Sequence, residues 1–424
     1  MEVYKVGGSV RDLLLGIPSK DNDYVVVGAT SEEMLALGYL PVGKDFPVFL
    51  HPKTKEEYAL ARKEFKRGYG YKGFAFDVSN ISLEDDLLRR DLTINAMAID
   101  SQGKLIDPYH GQEDLKNKIL RHVSPFFKED PLRVLRVARF AAKLKFTVHE
   151  ETLQLMSLIA KEGELQHLTA ERVLLELTKA LQTETPSLFF EILKNCNALE
   201  IVFPEIDRLI GVSQNPKYHP EGDAYKHTLL VLDSACRLSE QLSVRFASLV
   251  HDFGKALTPK AELPHHRLHD VRGISVVQLF CRRLKICNEW ETLALKVVEF
   301  HLLAHHILEL KAKNVVSLLI SLNAIRNPQM LQNFILCCQA DDLGKLRDRG
   351  DRAYLPASFL SLALEEIRLL NIAPLIKQYK GALLGEKIRE ARIQSIRQMK
   401  KIFLSPRGEE ILRHKHQLLY SKTR

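Results

Sequence analysis

The sequence predicts an α+β chain, with a small mixed α/β unit over residues 1–125 followed by an essentially all-helical remainder in segments 126–210, 223–345 and 346–424. Three observations predict it. Short β-rich runs alternate with short helical patterns at the start of the chain, and long apolar patterns of period 3.6 dominate after about Leu83. The length, 424 residues, exceeds the roughly 100–200 residues over which one core usually grows.

Residues 2–6 read as a strand, 9–15 as a short helix ended by Gly16 and Pro18, and 23–27 as a second strand. Thr30 and Glu33 have the spacing of a capping box, in which each side chain satisfies a backbone N–H left open by the first helical turn, and Gly38 closes that helix. Further strands are expected at 48–50 and 58–61. Residues 66–73, with Gly68, Gly70 and Gly73 among Lys and Tyr, read as a mobile basic loop. Helices then follow at 131–144, 152–161, 170–181, 186–195, 227–238, 244–255 and 273–284. Gly211, Pro216, Pro220 and Gly222 give residues 209–222 the composition of a linker, which sets a domain boundary.

Hydrophobic residues at 46% and charged residues at 27% are globular values and exclude disorder. The 61 Lys and Arg against 53 Asp and Glu, a net +8, suit a polyanionic partner such as nucleic acid, although an ordinary basic enzyme would show the same excess. The six cysteines form no CxxC pair, which argues against disulfide staples and a zinc ribbon and fits a cytoplasmic protein. No apolar run approaches the roughly 20 residues that span a bilayer, so no membrane role is expected.

Gly7-Gly8-Ser9-Val10-Arg11-Asp12 follows the first strand and opens a helix. Two glycines let the backbone approach a phosphate, the first helical N–H groups point at it, and Arg11 adds charge-assisted hydrogen bonds; a tight bend is the other reading. Asp21-Asn22-Asp23 stands where the next strand starts. Strand residues two apart share a face, with Cα atoms roughly 6.6 Å apart, so this carboxylate pair suits two-metal phosphoryl or nucleotidyl transfer as well as a solvated turn. Arg89-Arg90-Asp91-Leu92-Thr93-Ile94-Asn95 offers guanidiniums, an amide and a carboxylate that can orient an arginine, fit for a triphosphate and a ribose or for a surface ion-pair patch. Glu129-Asp130-Pro131-Leu132-Arg133 opens a helix in which Arg133, Arg136 and Arg139 recur along one face. Asp130 is a good N-cap and the stripe can be a solvated face. Alternatively, a carboxylate and a guanidinium one turn apart can present acceptor and donor to a base edge.

Those four segments and Asp107-Pro108-Tyr109-x-Gly111 stand in the order seen in class II tRNA nucleotidyltransferases, and the first half of the chain resembles that family. The resemblance implies a polymerase-β-like head at 1–125 and a helical neck and body at 126–210 that selects the base and binds tRNA. It implies addition of C, C and A to the tRNA 3′ end from CTP and ATP, with Mg2+ on Asp21 and Asp23. Asp130 and Arg133 would act as an amino-acid template for the base, and Gly8, Arg11, Arg90, Arg136 and Arg139 would contact the nucleotide. Bacterial poly(A) polymerases and split CC-adding or A-adding enzymes share the head motifs; the complete Glu129 to Arg133 motif and the glycine-rich loop favour full CCA synthesis.

His251-Asp252 ends an apolar helix and is followed by Gly254-Lys255; His227 lies upstream, and His265, His266, His269, His301 and Asp341-Asp342 lie downstream. Histidines and carboxylates from several helices can coordinate a divalent ion and generate hydroxide near neutral pH, whereas a lone His-Asp pair is commonly structural. The ordered set resembles the HD phosphohydrolase superfamily. The resemblance implies an all-α domain at 223–345 with catalytic His251 and Asp252, and metal ligands His227, His251, Asp252 and Asp341, with Asp342 adjacent. The ion would be a transition metal such as Ni2+ or Mn2+, and the activities phosphatase, 2′-nucleotidase and 2′,3′-cyclic phosphodiesterase. A hydrolase with a silent tRNA-binding head is the alternative. Residues 346–424 form a basic helical tail, and monomer and homodimer both remain open.

Overall fold

The computed structural model describes residues 1–18, 22–42, 48–66, 74–77, 81–346 and 353–422. Asp21 and residues 67–73 of the expected basic loop lie outside the described residues. The chain divides into two units, Met1–Pro204 and Glu205–Arg424.

The first unit begins β1 (Glu2–Val6), α1 (Gly8–Leu14), β2 (Asp23–Val27), α2 (Ser31–Ala36), β3 (Leu40–Pro41), β4 (Val48–Leu50), β5 (Glu57–Leu60), β6 (Lys63–Lys66), β7 (Phe74–Asp77) and α3 (Leu83–Leu88). It continues with β8 (Ala98–Ile99), β9 (Leu105–Ile106), α4 (Gly111–Asn117), β10 (Ile119–Leu120), α5 (Leu132–Leu144), β11 (Thr147–Val148), α6 (Glu150–Lys161), α7 (Ala170–Leu181), α8 (Ser187–Asn195), α9 (Leu199–Val202) and α10 (Pro204–Asp207), the last crossing into the second unit. Seven strands form one sheet in the order β3-β4-β5-β2-β1-β8-β9. β1 and β2 are antiparallel with Val6 opposite Asp23, and β2 runs parallel to β5. Both Val25 and Val26 of β2 are buried because the sheet is covered on both faces. One core holds Val6, Val25, Leu83, Leu87 and Ala98, the other Val26, Met34, Phe49 and Leu60. The capping box at α2 is present, with Glu33 N donating to Thr30 Oγ1 and Thr30 N to the Glu33 carboxylate. β6 pairs with β7, Lys66 opposite Phe74. The sheet also gains β8 and β9 beyond Leu83, where no strand was expected; two residues each is too short a run to show alternation.

The second unit is helical: α11 (Ala224–Leu238), α12 (Leu242–Val250), α13 (His269–Leu284), α14 (Asn288–His305), α15 (Ala312–Ser321), α16 (Pro328–Gly344), α17 (Leu355–Leu369), α18 (Ala373–Gln378), α19 (Gly381–Phe403) and α20 (Gly408–Lys422). Helices α11, α12, α14 and α16 pack on one another around a shared interior, α13 lies against α14, and α17, α19 and α20 pack together, with α19 also on α15 and α17 on α16. Two expectations change. The helix expected over 244–255 stops at Val250 and passes into a tight turn at Phe253–Leu257. The reason lies in Gly254, where a Cβ would sit 1.9 Å from His269 O and 2.6 Å from Gly273 N, so the chain turns where it must touch α13. Residues 209–222 are not a loose linker: Gln214 N donates to Gly222 O at 2.9 Å, Ser213 bridges to Asp223, and Glu221 is buried. Their glycines and prolines serve tight turns. Among the described residues no helix is long and apolar enough to cross a membrane.

Candidate functional site

In the first unit the β1–α1 turn is held by Gly7 at φ +71°, where a Cβ would lie 2.8 Å from Arg90 Nη1 and 4.0 Å from Asp23 Oδ2. A glycine there lets backbone, guanidinium and carboxylate converge. Asp23 opens β2 and is exposed, and Gly8 starts α1. From buried Arg11 runs a continuous polar chain. Its Nη1 donates to Asn95 Oδ1 (2.6 Å), and Nε and Nη2 donate to Asp12 Oδ1 (2.8 and 2.6 Å). Asn95 Nδ2 donates to Asp91 Oδ1 (3.0 Å), and Asp91 Oδ2 receives both Nε and Nη2 of Arg136 (2.8 and 2.6 Å). Burial alone would raise the Asp91 carboxyl, but the charge of Arg136 outweighs it and holds Asp91 well below the ordinary carboxylate range. The guanidinium carbons of Arg11, Arg136 and Arg139 lie 5.0, 5.7 and 4.2 Å from the centroid of the Phe140 ring, so three cations gather about one aromatic ring. A triphosphate is the kind of ligand such a cluster suits.

The remaining head motif is a scaffold for this chain. Asp107 accepts from Gly111 N and Gln112 N (2.7 and 2.9 Å) and so caps α4, while a Cβ on Gly111 would lie 2.4 Å from Thr93 O. Arg89 and Arg90 both turn to Asp86 (2.5 and 3.1 Å) rather than to Asp91.

At the start of α5, Asp130 Oδ1 accepts from Leu132 N (3.1 Å), and Arg172 Nη2 reaches both carboxylate oxygens (3.0 and 2.8 Å). Arg133 donates to two carbonyls, Phe126 O (2.9 Å) and Arg89 O (2.6 Å). Arg139 pairs with buried Glu176 at 2.5 Å. Arg133 and Arg139 are buried and Arg136 partly so; the arginine stripe is therefore no solvated face.

In the second unit each of four packed helices delivers one group to a common point: His227 from α11, His251 just past α12, His301 from α14 and Asp341 from α16, with Asp252 following His251. His251 Nδ1 lies 2.8 Å from Ser248 O, and His227 Nδ1 lies 2.8 Å from Glu221 Oε1. The His251 ring is thereby set with its Nε2 lone pair facing inward, and the Glu221 carboxylate stands against the other edge of the His227 ring. His227 Nε2 stands 3.2 Å from Asp341 Oδ1, and His251 Nε2 3.1 Å from Asp252 Oδ2. The Nε2 atoms of His227 and His251, both oxygens of Asp252 and Oδ1 of Asp341 are buried without a hydrogen bond. Lys255 Nζ lies 2.6 Å from Asp252 Oδ2 and Lys345 Nζ 3.1 Å from Asp341 Oδ1, and the convergent imidazole and carboxylate donors fit a divalent ion. Burial would raise the two carboxyls, yet His251 and Lys255 hold Asp252, and Lys345 and His305 hold Asp341, well below the ordinary range. The centre opens on a cavity of about 1440 Å3 whose walls include Lys255, Arg267, Lys345, Tyr218 and Tyr354.

Three family models match the chain: the Poly A polymerase head domain over residues 3–121, the probable RNA and SrmB-binding site of polymerase A over 145–210, and the HD domain over 224–343. A multifunctional CCA protein of Acinetobacter baumannii is 52% identical over 404 residues, 94% of this chain and 98% of its own. The chain belongs to the multifunctional CCA protein family. A second multifunctional CCA protein, from Vibrio vulnificus, is 52% identical over 402 residues, 94% of this chain and 98% of its own. In fold the chain is similar to a CCA-adding enzyme solved with ATP (TM-score 0.62, 21% identity, 98% of this chain and 89% of that one). It is also similar to the Thermotoga maritima CCA-adding enzyme solved with tRNA (TM-score 0.60, 19% identity, 100% of this chain and 92% of that one). As a member of that family the chain joins a nucleotidyltransferase head to an HD phosphohydrolase domain.

Some residues at these sites escape sequence reasoning. Arg172 and Glu176 stand one turn apart on α7 and grip Asp130 and Arg139 of α5; a charge pair at that spacing in an apolar helix was the available signal. Glu221 hid inside the supposed linker. His269 and His301 were seen, but nothing in their spacing tied them to Asp252, whereas their Nε2 atoms stand 3.2 and 3.7 Å from its Oδ1. His266 instead reaches Thr258 and Ser213. Of the adjacent pair, Asp341 rather than Asp342 is the buried one.

Proposed function

We propose that this protein adds C, C and A to the 3′ end of tRNA, using CTP and ATP, and hydrolyses phosphate esters at its HD centre. The observation that carries the reading is 52% identity to a multifunctional CCA protein along 94% of the chain, both units included. In the head, the tRNA 3′ hydroxyl attacks the nucleotide α-phosphate in line and pyrophosphate leaves. Asp21 and Asp23 would hold Mg2+, which supplies activation of that hydroxyl and neutralisation of the leaving group. Gly8, Arg11 and Arg90 bind triphosphate and ribose, with Arg136 and Arg139 beside Phe140 extending the cationic wall. Asp130 and Arg133 read the base; to do so Arg133 exchanges a carbonyl for a base acceptor. In the HD domain, His227, His251, Asp252 and Asp341 would hold a transition metal, Ni2+ or Mn2+, a choice that imidazole and carboxylate ligands suit. A metal held there would supply hydroxide near neutral pH, while Lys255 and Lys345 draw the phosphate in.

The reading makes the protein cytoplasmic and its tRNA binding salt-sensitive, through counterion release. It is tested by incubating protein, Mg2+, CTP, ATP and a tRNA transcript ending at the discriminator base, then sequencing the extended ends. C, C and A in that order is expected. Long A tails would mean a poly(A) polymerase, a stop at CC a split enzyme, and hydrolysis without extension a silent head. His251→Ala should lose metal-stimulated hydrolysis of 2′,3′-cyclic phosphates and keep CCA addition.

A further inference from the structure

We infer that Tyr354, delivered by the C-terminal helices, forms with Leu302 and Leu355 an apolar subsite on the wall of the HD cavity, and that this subsite takes the nucleobase of a nucleotide whose phosphate is cut at the centre. The inference rests on the HD hydrolase reading and adds to it the part of the substrate that the reacting phosphate does not account for.

The cavity on which the centre opens, about 1440 Å3, is larger than the roughly 300–1,000 Å3 that houses most small ligands, so a phosphate alone would leave most of it empty. Its walls differ in character. Lys255 and Lys345 stand against the Asp252 and Asp341 carboxylates (2.6 and 3.1 Å), which puts these cations at the end where the centre lies. Elsewhere the wall is apolar: Leu302 comes from α14, and Tyr354, Leu355 and Pro356 come from the start of α17. Leu302 and Leu355 keep 37% and 49% of their surface exposed. Leucines open on a cavity wall gain free energy when an apolar group covers them and displaces water.

Tyr354 supplies the geometry. Its hydroxyl lies 2.9 Å from His305 Nδ1, and the opposite nitrogen of that ring, Nε2, is hydrogen-bonded to Asp341. A carboxylate only accepts, so Nε2 carries the proton and, in the neutral ring, Nδ1 accepts from the tyrosine. The two rings meet edge to face, with centroids 5.8 Å apart at 74°. The polar tip of Tyr354 is therefore spent on the protein, and its ring is held in one orientation at the cavity wall. What such a ring offers a ligand is its π-face, and a face already held still stacks a flat heteroaromatic group at little entropic cost.

The C-terminal helices fix this placement. α17 packs on α15 and α16, Arg389 of α19 donates to Ser317 Oγ of α15 (2.9 Å), and Lys400 of α19 donates to Leu310 O (2.7 Å). These helices are thus fastened to the HD helices, with α17 starting at the cavity. A ligand that satisfies both kinds of wall carries a phosphate at one end and a flat aromatic group at the other, as a nucleotide does. Every base has a π-face, so the subsite prefers nucleotides to phosphate esters without a base and discriminates little among bases.

The test compares 2′-AMP with glycerol 2-phosphate on the full chain with Ni2+ or Mn2+ supplied; both are secondary phosphate monoesters and only the first carries a base. Wild type is expected to prefer 2′-AMP in kcat/KM. Tyr354→Leu, which keeps the apolar bulk, is expected to cut that preference about tenfold or more through the KM for 2′-AMP. Tyr354→Phe, which keeps the ring and gives up the hydroxyl bond to His305, is expected to retain it. An equal fall in kcat on both esters in Tyr354→Leu and Tyr354→Phe overturns the subsite, since it makes Tyr354 a support for His305 alone. Equal kcat/KM for the two esters in wild type overturns it as well and leaves the HD reading intact. No hydrolysis of either ester by wild type overturns both.

Discussion

Asp91 has no exposed surface to speak of, yet its charge joins Arg136 to Asn95 and through it to Arg11, the residues proposed to face the nucleotide. Removing Asp91 leaves half-buried Arg136 and buried Asn95 without their acceptor, at a cost of about 1–3 kcal/mol. Asp91→Ala should therefore lower the urea midpoint of the first unit and slow nucleotide addition together; slowed addition at unchanged stability would mean that the chain of hydrogen bonds does not bear on folding. Arg172 allows a finer test. It reaches both oxygens of Asp130, and a hydrogen bond to a charged group contributes about 1.5–3 kcal/mol. Arg172→Ala should reduce discrimination of CTP and ATP against UTP and GTP about tenfold or more, with Arg172→Lys restoring part of it. Equal discrimination in mutant and wild type would show that the backbone cap at Leu132 holds Asp130 unaided. At this scale the sequence was legible where a motif fixes spacing, as at His251-Asp252. It was silent on Arg172, whose partner is 42 positions away and is chosen only by the packing of α7 on α5.

Between elements, the fastening of α20 has its own pH dependence. His416 sits between Glu365 of α17 (2.8 Å) and Glu366 of α17 (2.8 Å), with Lys415 and Ser395 also on Glu366. Donating to the Glu366 carboxylate first, and then to that of Glu365, raises the imidazole above its ordinary 6.5 despite burial. Burial opposes ionisation of Glu366, but its bonds to His416, Lys415 and Ser395 bring it down from 4.5 to about 2. The histidine contribution is complete below 6.5 and lost as pH rises through the raised value; the carboxylate contribution is present above 4.5 and lost as pH falls toward about 2. Limited proteolysis across pH should find α20 best protected between these limits, and His416→Ala should remove the alkaline loss of protection. A mutant with the wild-type alkaline profile would assign that loss to other groups. The limits of element reading are equally physical. Of the helices with a full apolar period, α7 was placed to the residue at both ends and α5, α6, α8, α11 and α13 at their C-terminal ends only, whereas α12 ran past its true end because Gly254 is stopped by a neighbour that the local pattern does not contain.

Across the whole molecule, charge is distributed unevenly. Residues 346–424 hold 17 Lys and Arg against 8 Asp and Glu, while the preceding residues hold 44 against 45. The net positive charge thus belongs to the last helices. Several of their acids are already paired, Glu390 with Lys387, Glu409 with Arg413 and Glu366 with Lys415, and Arg397 and Lys401 of α19 are exposed. If this surface meets tRNA phosphates, Arg397→Glu with Lys401→Glu should weaken tRNA binding and flatten its salt dependence by roughly one unit of log–log slope per lost contact. An unchanged slope would move the phosphate contacts elsewhere. Global organisation was legible because five motifs and an HD set occur in order along one chain. What escaped was the role of residues 209–222, whose turn-forming composition resembles a tether but presses Glu221 against His227.

The four inward-facing groups of the HD centre arrive on four separate helices, so no short stretch of chain carries the hydrolytic apparatus. A nascent or damaged polypeptide lacking α16 would keep His227 and His251 but could not assemble the cage. Cutting phosphoesters is thereby licensed by completed assembly, a safeguard for any catalyst that is handed RNA ends.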